Sequence, residues 1–328
     1  MRVESLKMAR LGAVVSLLAL VLATSFLAVS AGGLTANYYA KTCPSVDKVV
    51  RETVYRLYEK KGNIATSLIR FGFHDWFNGA DASFLLKSLP GKTSEKDSTT
   101  QEGMRNEKYV DNIKAAVDAA CGPNVVSCAD ILAVGAAAGV QVLGGPYIPI
   151  LFGRRDSRVS LKSSADKIPP PQGDVTSFLK FFAERGINTE QAVALMGAHT
   201  IGRAHCVSFK ERIYPKVDPQ MDPKFADMLK HRCPPNPTEV HFTYFRNDEQ
   251  SPMAFDNHYY VNLVAKQGLM GIDSKLYWDK RTQPFVVKYA KDANYWRKVF
   301  ATAYKQMSEY QPLTGKQGEI RKRCSYVN

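Results

Sequence analysis

Two histidine-containing segments hold the residue types that could do chemistry. In the first, Arg70 and His74 are four residues apart, so on a helix both side chains project from one face. A fixed cation beside a titratable imidazole can take a proton from a bound molecule and stabilise the negative charge that develops. Arginine and histidine also reach this spacing by chance, so the pair alone indicates function only weakly.

The second segment surrounds His199 with small residues. Gly197, Ala198 and Gly202 leave room beside the imidazole for something bulky, such as a flat cofactor. Close packing between helices uses small residues equally well, so the sequence leaves both interpretations open.

Helices must position these side chains. Apolar residues recur at spacings of three and four along much of the chain, which is typical of amphipathic helices. Alternating strand patterns are few and short, and residues 87–103 and 168–172 form irregular connections of the kind that often line functional sites. The pattern predicts helices over residues 44–61, 63–77, 106–120, 127–143, 174–185, 189–197 and 294–309.

The composition is that of a globular protein with a large core. The chain has 328 residues, of which 45% are hydrophobic and 23% are charged, and this excludes disordered and fibrous classes. Its net charge of +13 could attract polyanions such as acidic polysaccharide. The basic residues are scattered among acidic ones, so we expect no nucleic-acid binding.

The N-terminus indicates export. Basic residues precede a mostly apolar stretch over residues 11–29, and Ala31 ends a set of small residues suited to cleavage. We predict a signal peptide over residues 1–31 and a mature domain over residues 32–328. The alternative is an uncleaved membrane anchor. No later segment is apolar enough to span a bilayer, so no membrane association is expected after cleavage.

The six cysteines agree with export, because an oxidising compartment lets them pair. Neither a CxxC motif nor a paired Cys/His spacing occurs, which argues against a structural zinc site. Their spacing alone does not choose among the possible pairings.

Several separated motifs, in order, resemble the secreted plant haem peroxidases of class III. The resemblance covers about residues 37–328. It is carried by residues 70–83 (RFGFHDWFNGADAS), 127–132 (SCADIL), 153–157 (GRRDS), 195–206 (LMGAHTIGRAHC) and 255–263 (FDNHYYVNL).

The resemblance implies a mostly α fold of two helical lobes with haem b between them and minimal β structure. His199 matches the ligand of the haem iron, and Asp273 matches the carboxylate that hydrogen-bonds the other nitrogen of that histidine. Such a partner makes the imidazole more basic and favours the ferric state.

The resemblance also implies catalytic roles. His74 matches the base that moves a proton between the two oxygens of hydrogen peroxide, and Arg70 matches the residue that stabilises the departing hydroxide. Phe73 would wall the pocket, and the carbonyl of Pro169 would orient aromatic substrates. The implied function is a monomeric, secreted peroxidase of the cell wall or apoplast that oxidises small phenolic reductants by one-electron steps.

Bound calcium and three disulfides are implied in the same way. The disulfides would be Cys43–Cys121, Cys128–Cys324 and Cys206–Cys233. The ligands of a calcium site on the proximal side, the side of His199, would be Thr200, Asp248, Ser251 and Asp256, with the Ala254 carbonyl as a further candidate.

Two departures from the family affect the distal side, the side of His74. The family pattern HDCFVNGCD is shortened here by one residue, and Trp76 and Ala80 replace both cysteines of a fourth disulfide. Gln101 aligns with the asparagine that accepts a hydrogen bond from the distal histidine; either this bond fails or the loop shifts and restores it. A distal calcium site keeps the matching ligands Asp75, Gly79, Asp81 and Ser83.

Calcium prefers about six to eight oxygen ligands, and the shortened loop has lost one carbonyl. We therefore predict a weakened or empty distal site.

Two other classes of function compete with an active peroxidase. One is a catalytically weakened peroxidase-fold protein that binds or builds the cell wall. The other, a metal-dependent hydrolase using His74, Asp75 and His199, lacks recognisable zinc-ligand spacing.

Overall fold

The computed structural model describes residues 33–77, 79–235 and 243–328, so the predicted signal peptide lies outside the described residues. These residues form twelve helices and two short strands, β1 (Arg203–His205) and β2 (Tyr244–Arg246). In chain order the helices are α1 (Val46–Lys60), α2 (Asn63–Trp76), α3 (Lys108–Cys121), α4 (Cys128–Val142), α5 (Lys162–Ala165), α6 (Val175–Ala183), α7 (Thr189–Met196), α8 (Pro223–Arg232), α9 (His258–Val264), α10 (Gly271–Trp278), α11 (Gln283–Lys291) and α12 (Ala293–Ser308).

The predicted mostly α architecture with minimal β structure is confirmed. The only sheet among the described residues is the antiparallel pair β1–β2, in which Ala204 lies opposite Phe245. All seven predicted helices form, with ends that differ by a few residues at most. Helix α5 and helices α8 to α11 were not predicted from the periodicity. None of the described helices is long and apolar enough to cross a membrane.

Helix α4 lies at the centre of the larger hydrophobic core. Residues 128–140 of this helix are all buried, and α1 and α2 pack against it. Gly139 makes the contact with α2 close, since a Cβ there would lie 2.8 Å from the Ala65 carbonyl oxygen. This tight packing fixes α2, the helix that carries Arg70 and His74.

A buried ion pair connects α4 to two later parts of the chain. Arg154 Nη1 lies 2.9 Å from Asp130 Oδ1, and neither side chain is exposed. Arg154 Nη2 also donates to the carbonyl oxygen of Ser308 at 2.6 Å, where α12 ends. The Tyr39 hydroxyl donates to the other Asp130 oxygen at 2.9 Å, so the carboxylate is satisfied on both sides.

Three disulfides and a buried aspartate hold distant segments together. The disulfides are Cys43–Cys121, Cys128–Cys324 and Cys206–Cys233, which is the pairing that the resemblance implies. Asp156 accepts hydrogen bonds from the backbone N–H groups of Cys128, Ala129 and Arg321. It therefore satisfies the N-terminus of α4 and holds the C-terminal segment against it.

An aromatic cluster surrounds Trp76, one of the two residues that stand where the family has cysteine. The Trp76 side chain is fully buried, and its ring lies 4.8 Å from that of Phe77 and 5.6 Å from that of Phe182 in α6. Phe73, Tyr310 and Phe181 lie farther away, at 5.9, 6.3 and 6.5 Å between ring centroids. Packing of aromatic rings thus joins α2 to α6 here.

Candidate active site

The last turns of α2 bring Arg70 and His74 together, as their spacing predicts. Arg70 Nε donates to His74 Nε2 at 3.3 Å. A second guanidinium nitrogen, Nη2, donates to the carbonyl oxygens of Thr100 and Glu102 at 3.2 and 3.0 Å. The loop that follows α2 therefore fixes the arginine, and the arginine lies beside the base.

Burial gives this pair the protonation states that acid–base chemistry needs. Desolvation, followed by the charge of Arg70, lowers the pKa of His74 well below 6.5, so its imidazole is neutral at neutral pH. Desolvation, followed by the charge of Arg105, lowers the pKa of Arg70 to about 10. The arginine is still a cation at pH 7. A neutral base and a fixed positive charge therefore lie in contact.

Gln101 lies close to His74 but does not bond to it with good geometry. Its carboxamide raises the pKa of His74 against the effect of burial. However, His74 Nδ1 and both polar atoms of the Gln101 side chain are buried without a hydrogen-bond partner. The direct bond between Gln101 and His74, one of two alternatives predicted from the sequence, is therefore not made here.

On the proximal side, a carboxylate orients His199. The histidine lies in the short turn Gly197–Thr200 after α7, and its Nδ1 is 3.0 Å from Asp273 Oδ1 in α10. The hydroxyl of Tyr259, in α9, donates to the same oxygen at 2.9 Å. With Nδ1 directed at a carboxylate, the neutral ring presents the lone pair of Nε2, as a metal-binding histidine requires.

His199 also has the exposure that a cofactor ligand needs. Its side chain is 35% exposed, whereas Gly197 and Thr200 on either side are buried. The small size of Gly197 serves packing, because a Cβ there would lie 2.5 Å from the Tyr260 hydroxyl and 2.6 Å from Trp296 Nε1. The sequence left two interpretations of Gly197, room for a cofactor and close packing between helices, and the structure supports close packing. The donor chemistry and exposure of His199 itself fit haem.

His205, which was not predicted as a site residue, connects the two sides. It ends β1, the strand that follows the His199 turn, and its Nε2 lies 3.4 Å from the position of a Cβ on Gly103. A nitrogen of Arg70 lies 3.7 Å from the same position. Burial, with Arg105, Arg203 and Arg70, lowers the pKa of His205. This edge of the site is therefore basic and suits carboxylate groups.

The side chains predicted for the proximal calcium site also come together. Thr200 Oγ1 donates to Asp256 Oδ1 at 3.1 Å, and Ser251 Oγ donates to Asp248 Oδ2 at 2.8 Å. His258, not predicted, joins them with its Nδ1 2.8 Å from Ser251 Oγ. The only signal for it was its position in the FDNHYYVNL run.

The residues predicted for a distal calcium site form a buried acidic group. Asp75 Oδ1 and Ser83 Oγ are buried without hydrogen-bond partners, so both oxygens could bind a cation. Burial, and then the charges of Asp81 and Glu95, raise the pKa of Asp75 well above its usual value. The Asp75 carbonyl, in contrast, accepts a backbone hydrogen bond from Ala80 at 3.1 Å. A weakened distal site remains a prediction.

The two remaining predicted residues, Phe73 and Pro169, lie in α2 and in the loop between α5 and α6. Phe73 belongs to the aromatic cluster, with its ring 4.7 Å from that of Phe77. Pro169 lies in a loop that is held against α10, since Ile272 N donates to the Pro171 carbonyl at 2.9 Å and Lys275 Nζ donates to the Gln172 carbonyl at 2.9 Å. Two surface cavities have volumes of about 260 and 240 Å³. Neither is lined by Arg70, His74 or His199, and the first is lined by Phe77 and Gly79.

Comparison with known proteins identifies the class of protein. The family model described as "Peroxidase" matches residues 50–292. The chain is 46% identical over 301 residues to Peroxidase 21 of Arabidopsis thaliana, covering 90% of this chain and 92% of that protein. It is 43% identical to Peroxidase 42 of the same plant, covering 90% of each chain. With Peroxidase 4 of Vitis vinifera the identity is 39%, covering 94% of this chain and 97% of that one.

The chain therefore belongs to the peroxidase family, and among its members it groups with the class III enzymes of plants. It is a peroxide-dependent oxidoreductase. Haem, calcium, disulfides and secretion are typical of this family, and the three disulfides are present here.

Proposed function

We propose that this protein reduces hydrogen peroxide outside the cell while it oxidises small phenolic reductants, one electron at a time. Each turnover would convert one peroxide and two phenols to two waters and two phenoxyl radicals. The observation that carries the proposal is the contact between a neutral, buried His74 and a cationic Arg70, 3.3 Å apart.

Haem b would be held through Nε2 of His199, with Asp273 orienting the ring. When bound, haem supplies the redox-active iron that takes up the oxidising equivalents of peroxide. The basic edge formed by Arg105, Arg203 and His205 suits the two propionate carboxylates of this cofactor.

The protein's own contribution is the movement of one proton. His74 Nε2 would give up its hydrogen bond to Arg70 and accept one from hydrogen peroxide. It would then take the proton from one peroxide oxygen and return it to the other. Arg70 would stabilise the negative charge on the departing oxygen, which leaves as water once the proton arrives. Phe73 would limit the pocket on one side, and the loop of Pro169, pinned to α10, would orient the phenol.

A cation at the proximal site would hold the turn of His199 in place. Thr200 directly follows the histidine, and its hydroxyl already lies 3.1 Å from Asp256 Oδ1. We expect calcium there, bound also by Asp248 and Ser251, and a weak or empty distal site. A monomer in the cell wall or apoplast fits the three disulfides. The net charge of +13, which becomes +11 when residues 1–31 with their net +2 are removed, would favour contact with acidic wall polysaccharide.

The test is peroxide-driven oxidation of a simple phenol by the haem-loaded protein. We expect turnover by the natural chain and a rate of reaction with peroxide that falls about 10²–10⁴-fold in His74→Ala. The control is His231→Ala, which changes an exposed histidine of α8 and should leave the rate unchanged. An equal loss in both variants, or an unaltered rate in His74→Ala, would remove His74 from the mechanism.

One observation favours a second candidate, a weakened enzyme that serves as a wall-binding or structural component. His74 Nδ1 lacks a hydrogen-bond partner, and an unsupported imidazole is a poorer base. The same experiment separates the candidates. Haem binding that is followed by no reaction with peroxide would favour the structural role.

A further inference from the structure

Four tyrosines lead from the turn of His199 to the surface of the molecule. The ring centroids are 4.9, 5.1 and 6.1 Å apart for the pairs Tyr259–Tyr260, Tyr260–Tyr289 and Tyr289–Tyr295. The first of these rings lies 6.0 Å from the imidazole of His199. The first three tyrosines are buried, whereas Tyr295, in α12, is partly exposed. We call these four residues the tyrosine path.

The two ends of the tyrosine path differ from its middle in their hydrogen bonds. Tyr259 donates to Asp273 Oδ1 at 2.9 Å, and Tyr295 donates to Glu190 Oε1 at 2.7 Å. The two middle hydroxyls donate to backbone carbonyl oxygens instead. A carboxylate within hydrogen-bond reach can take up the phenolic proton, but a carbonyl oxygen cannot. Only the end tyrosines can therefore lose an electron and a proton together.

This difference decides where an oxidised tyrosine can persist, because a phenol that loses an electron becomes a strong acid. If its proton moves to the bonded carboxylate, the products are a neutral radical and a neutral acid, so no costly cation is left in the protein interior. Burial raises the pKa values of Tyr259, Tyr260 and Tyr289, so the path starts as neutral phenols. The radical can rest at either end, and the middle rings provide short steps between the ends.

The surroundings of Tyr295 suit an oxidation site at the surface. Lys288 Nζ lies 3.5 Å from the centroid of the Tyr295 ring and 3.9 Å from the carboxylate of Glu190. A cation is attracted to the electron-rich ring of a phenol, and less to the radical formed from it. A radical at Tyr295 would therefore be a strong oxidant, as the oxidation of another phenol requires.

A second set of aromatic contacts leaves the tyrosine path at Tyr260 but stays inside the protein. Trp296 lies 5.7 Å from Tyr260 and is fully buried. Among the residues that the structure describes, its other ring contacts are with Phe255 and Phe300, and phenylalanine is much harder to oxidise than tyrosine. This branch therefore does not compete with Tyr295 as an exit to the surface.

We propose that Tyr295 is a second oxidation site, at the protein surface, for phenol groups on molecules too large to reach the haem. The proposal rests on the proposed function, which supplies the oxidising equivalents of peroxide. One electron would pass from Tyr295 along the tyrosine path to the oxidised haem, and the phenolic proton would pass to Glu190. A phenol group at the surface would then give a hydrogen atom to the Tyr295 radical and become a phenoxyl radical.

Glu190 would release its proton to solvent, which replaces one proton consumed as peroxide is reduced to water. Two such cycles deliver two electrons and two protons, so one peroxide and two phenol groups give two waters and two phenoxyl radicals. The tyrosines and Glu190 end each cycle unchanged.

The test locates the radical in the haem-loaded protein, mixed with one equivalent of peroxide and no reductant. We expect electron paramagnetic resonance to show a tyrosyl radical, and mass spectrometry to find the adduct of a nitroso spin trap at Tyr295. Two variants keep the Tyr295 ring but disable the route, and both should lose this adduct. Tyr289→Phe breaks the path, and Glu190→Gln removes the proton acceptor. Tyr55→Phe, which changes a 53% exposed tyrosine of α1, is the matched control and should keep the adduct.

The same variants test the use of the site. We expect the rate with phenol groups attached to a large soluble polymer, divided by the rate with free phenol, to fall in Tyr295→Phe and to stay unchanged in Tyr55→Phe. An unchanged ratio in Tyr295→Phe, or an adduct at Tyr295 that persists in both Tyr289→Phe and Glu190→Gln, would overturn the proposal.

The haem absorption separates a failure of this proposal from a failure of the proposed function. A Soret band that changes with peroxide while no adduct forms at Tyr295 would overturn the surface site and leave the proposed function intact. A Soret band that does not change would refute the proposed function, and the surface site with it, because no oxidising equivalent would then enter the tyrosine path.

Discussion

His74 is buried beside Arg70, and both the loss of water and the neighbouring charge lower the pKa of its imidazole. The base form should therefore persist in acid. We expect the second-order rate of the haem-loaded protein with peroxide to stay constant as the pH falls through 6.5, the ordinary value for histidine, and to decline only well below it. A stopped-flow pH profile measures this, and an inflection at or above 6.5 would contradict it.

Gln101 provides a second variant for the same profile. Its carboxamide raises the pKa of His74, so Gln101→Leu should move the inflection to still lower pH, and Gln101→Asn should recover part of the difference.

The stability of the fold depends on the protonation of the same histidine, His74. Below pH 6.5 the unfolded imidazole takes up a proton that the folded one does not, so His74 makes the free energy of unfolding fall as the pH decreases.

Sequence spacing alone predicts those pairs of site residues that are close along the chain. Arg70 and His74 follow from helix spacing alone, because four residues make about one turn. Residues 74 positions apart, as His199 and Asp273 are, share no local pattern, and only the family resemblance connects them. Neither His205 nor His258 was predicted from the sequence. The fold places His205 beside Gly103 and His258 beside Asp248.

Between helices, the hydroxyl of Tyr259 connects α9 to the proximal carboxylate of α10. It donates to the Asp273 oxygen that also faces His199, and burial keeps the phenol protonated by raising its pKa. In Tyr259→Phe that oxygen retains more negative charge for the histidine. We expect a lower ferric/ferrous reduction potential in the haem-loaded variant, measured by spectroelectrochemistry, because a more basic ligand favours ferric iron.

Tyr260→Phe is the matched control for this potential. Its hydroxyl donates to the carbonyl oxygens of Val193 and Ala194 instead. Both substitutions should lower the free energy of unfolding by about 0.5–1.5 kcal/mol, but only Tyr259→Phe should shift the potential. Equal potentials in the two variants would mean that Asp273 is insensitive to this bond.

Trp76, which stands where the family pattern has cysteine, joins α2 to α6. Its fully buried ring contacts Phe77 and Phe182, so Trp76→Ala should leave a large cavity. We expect it to lower the free energy of unfolding by about 3–5 kcal/mol in urea titrations, and Trp76→Phe to cost markedly less. A small effect of Trp76→Ala would show that the cluster adds little stability.

Length explains part of which helices were predicted, although α7 was predicted with eight residues and α8 was missed with ten. Helices α1, α2, α4 and α12 have 14 to 16 residues, enough turns for a repeating apolar face to be recognised. Helix α9 has seven residues and α10 has eight. Helices this short depend on tertiary packing rather than on their own sequence, so their periodicity is weak.

Across the whole molecule, the Cys128–Cys324 disulfide closes the largest loop of the three, with a sequence separation of 196 against 27 for Cys206–Cys233. A longer loop restricts the unfolded chain more. Replacing Cys128 and Cys324 by serine should cost about 2–5 kcal/mol in urea unfolding, and the same change at Cys206 and Cys233 should cost less. The reverse order would show that local packing, not chain restriction, determines the contribution of each disulfide.

The same 196-residue separation also sets an order of events during synthesis. At about 5–20 residues per second, the ribosome takes about 10–40 s to reach Cys324 after Cys128. During that time Cys43 and Cys121 are already available, and Cys128 is seven residues from Cys121. The nascent chain must therefore keep Cys128 as a free thiol or correct a wrong pair with a disulfide isomerase. Its folding yield should depend on that enzyme more than on the rate of oxidation.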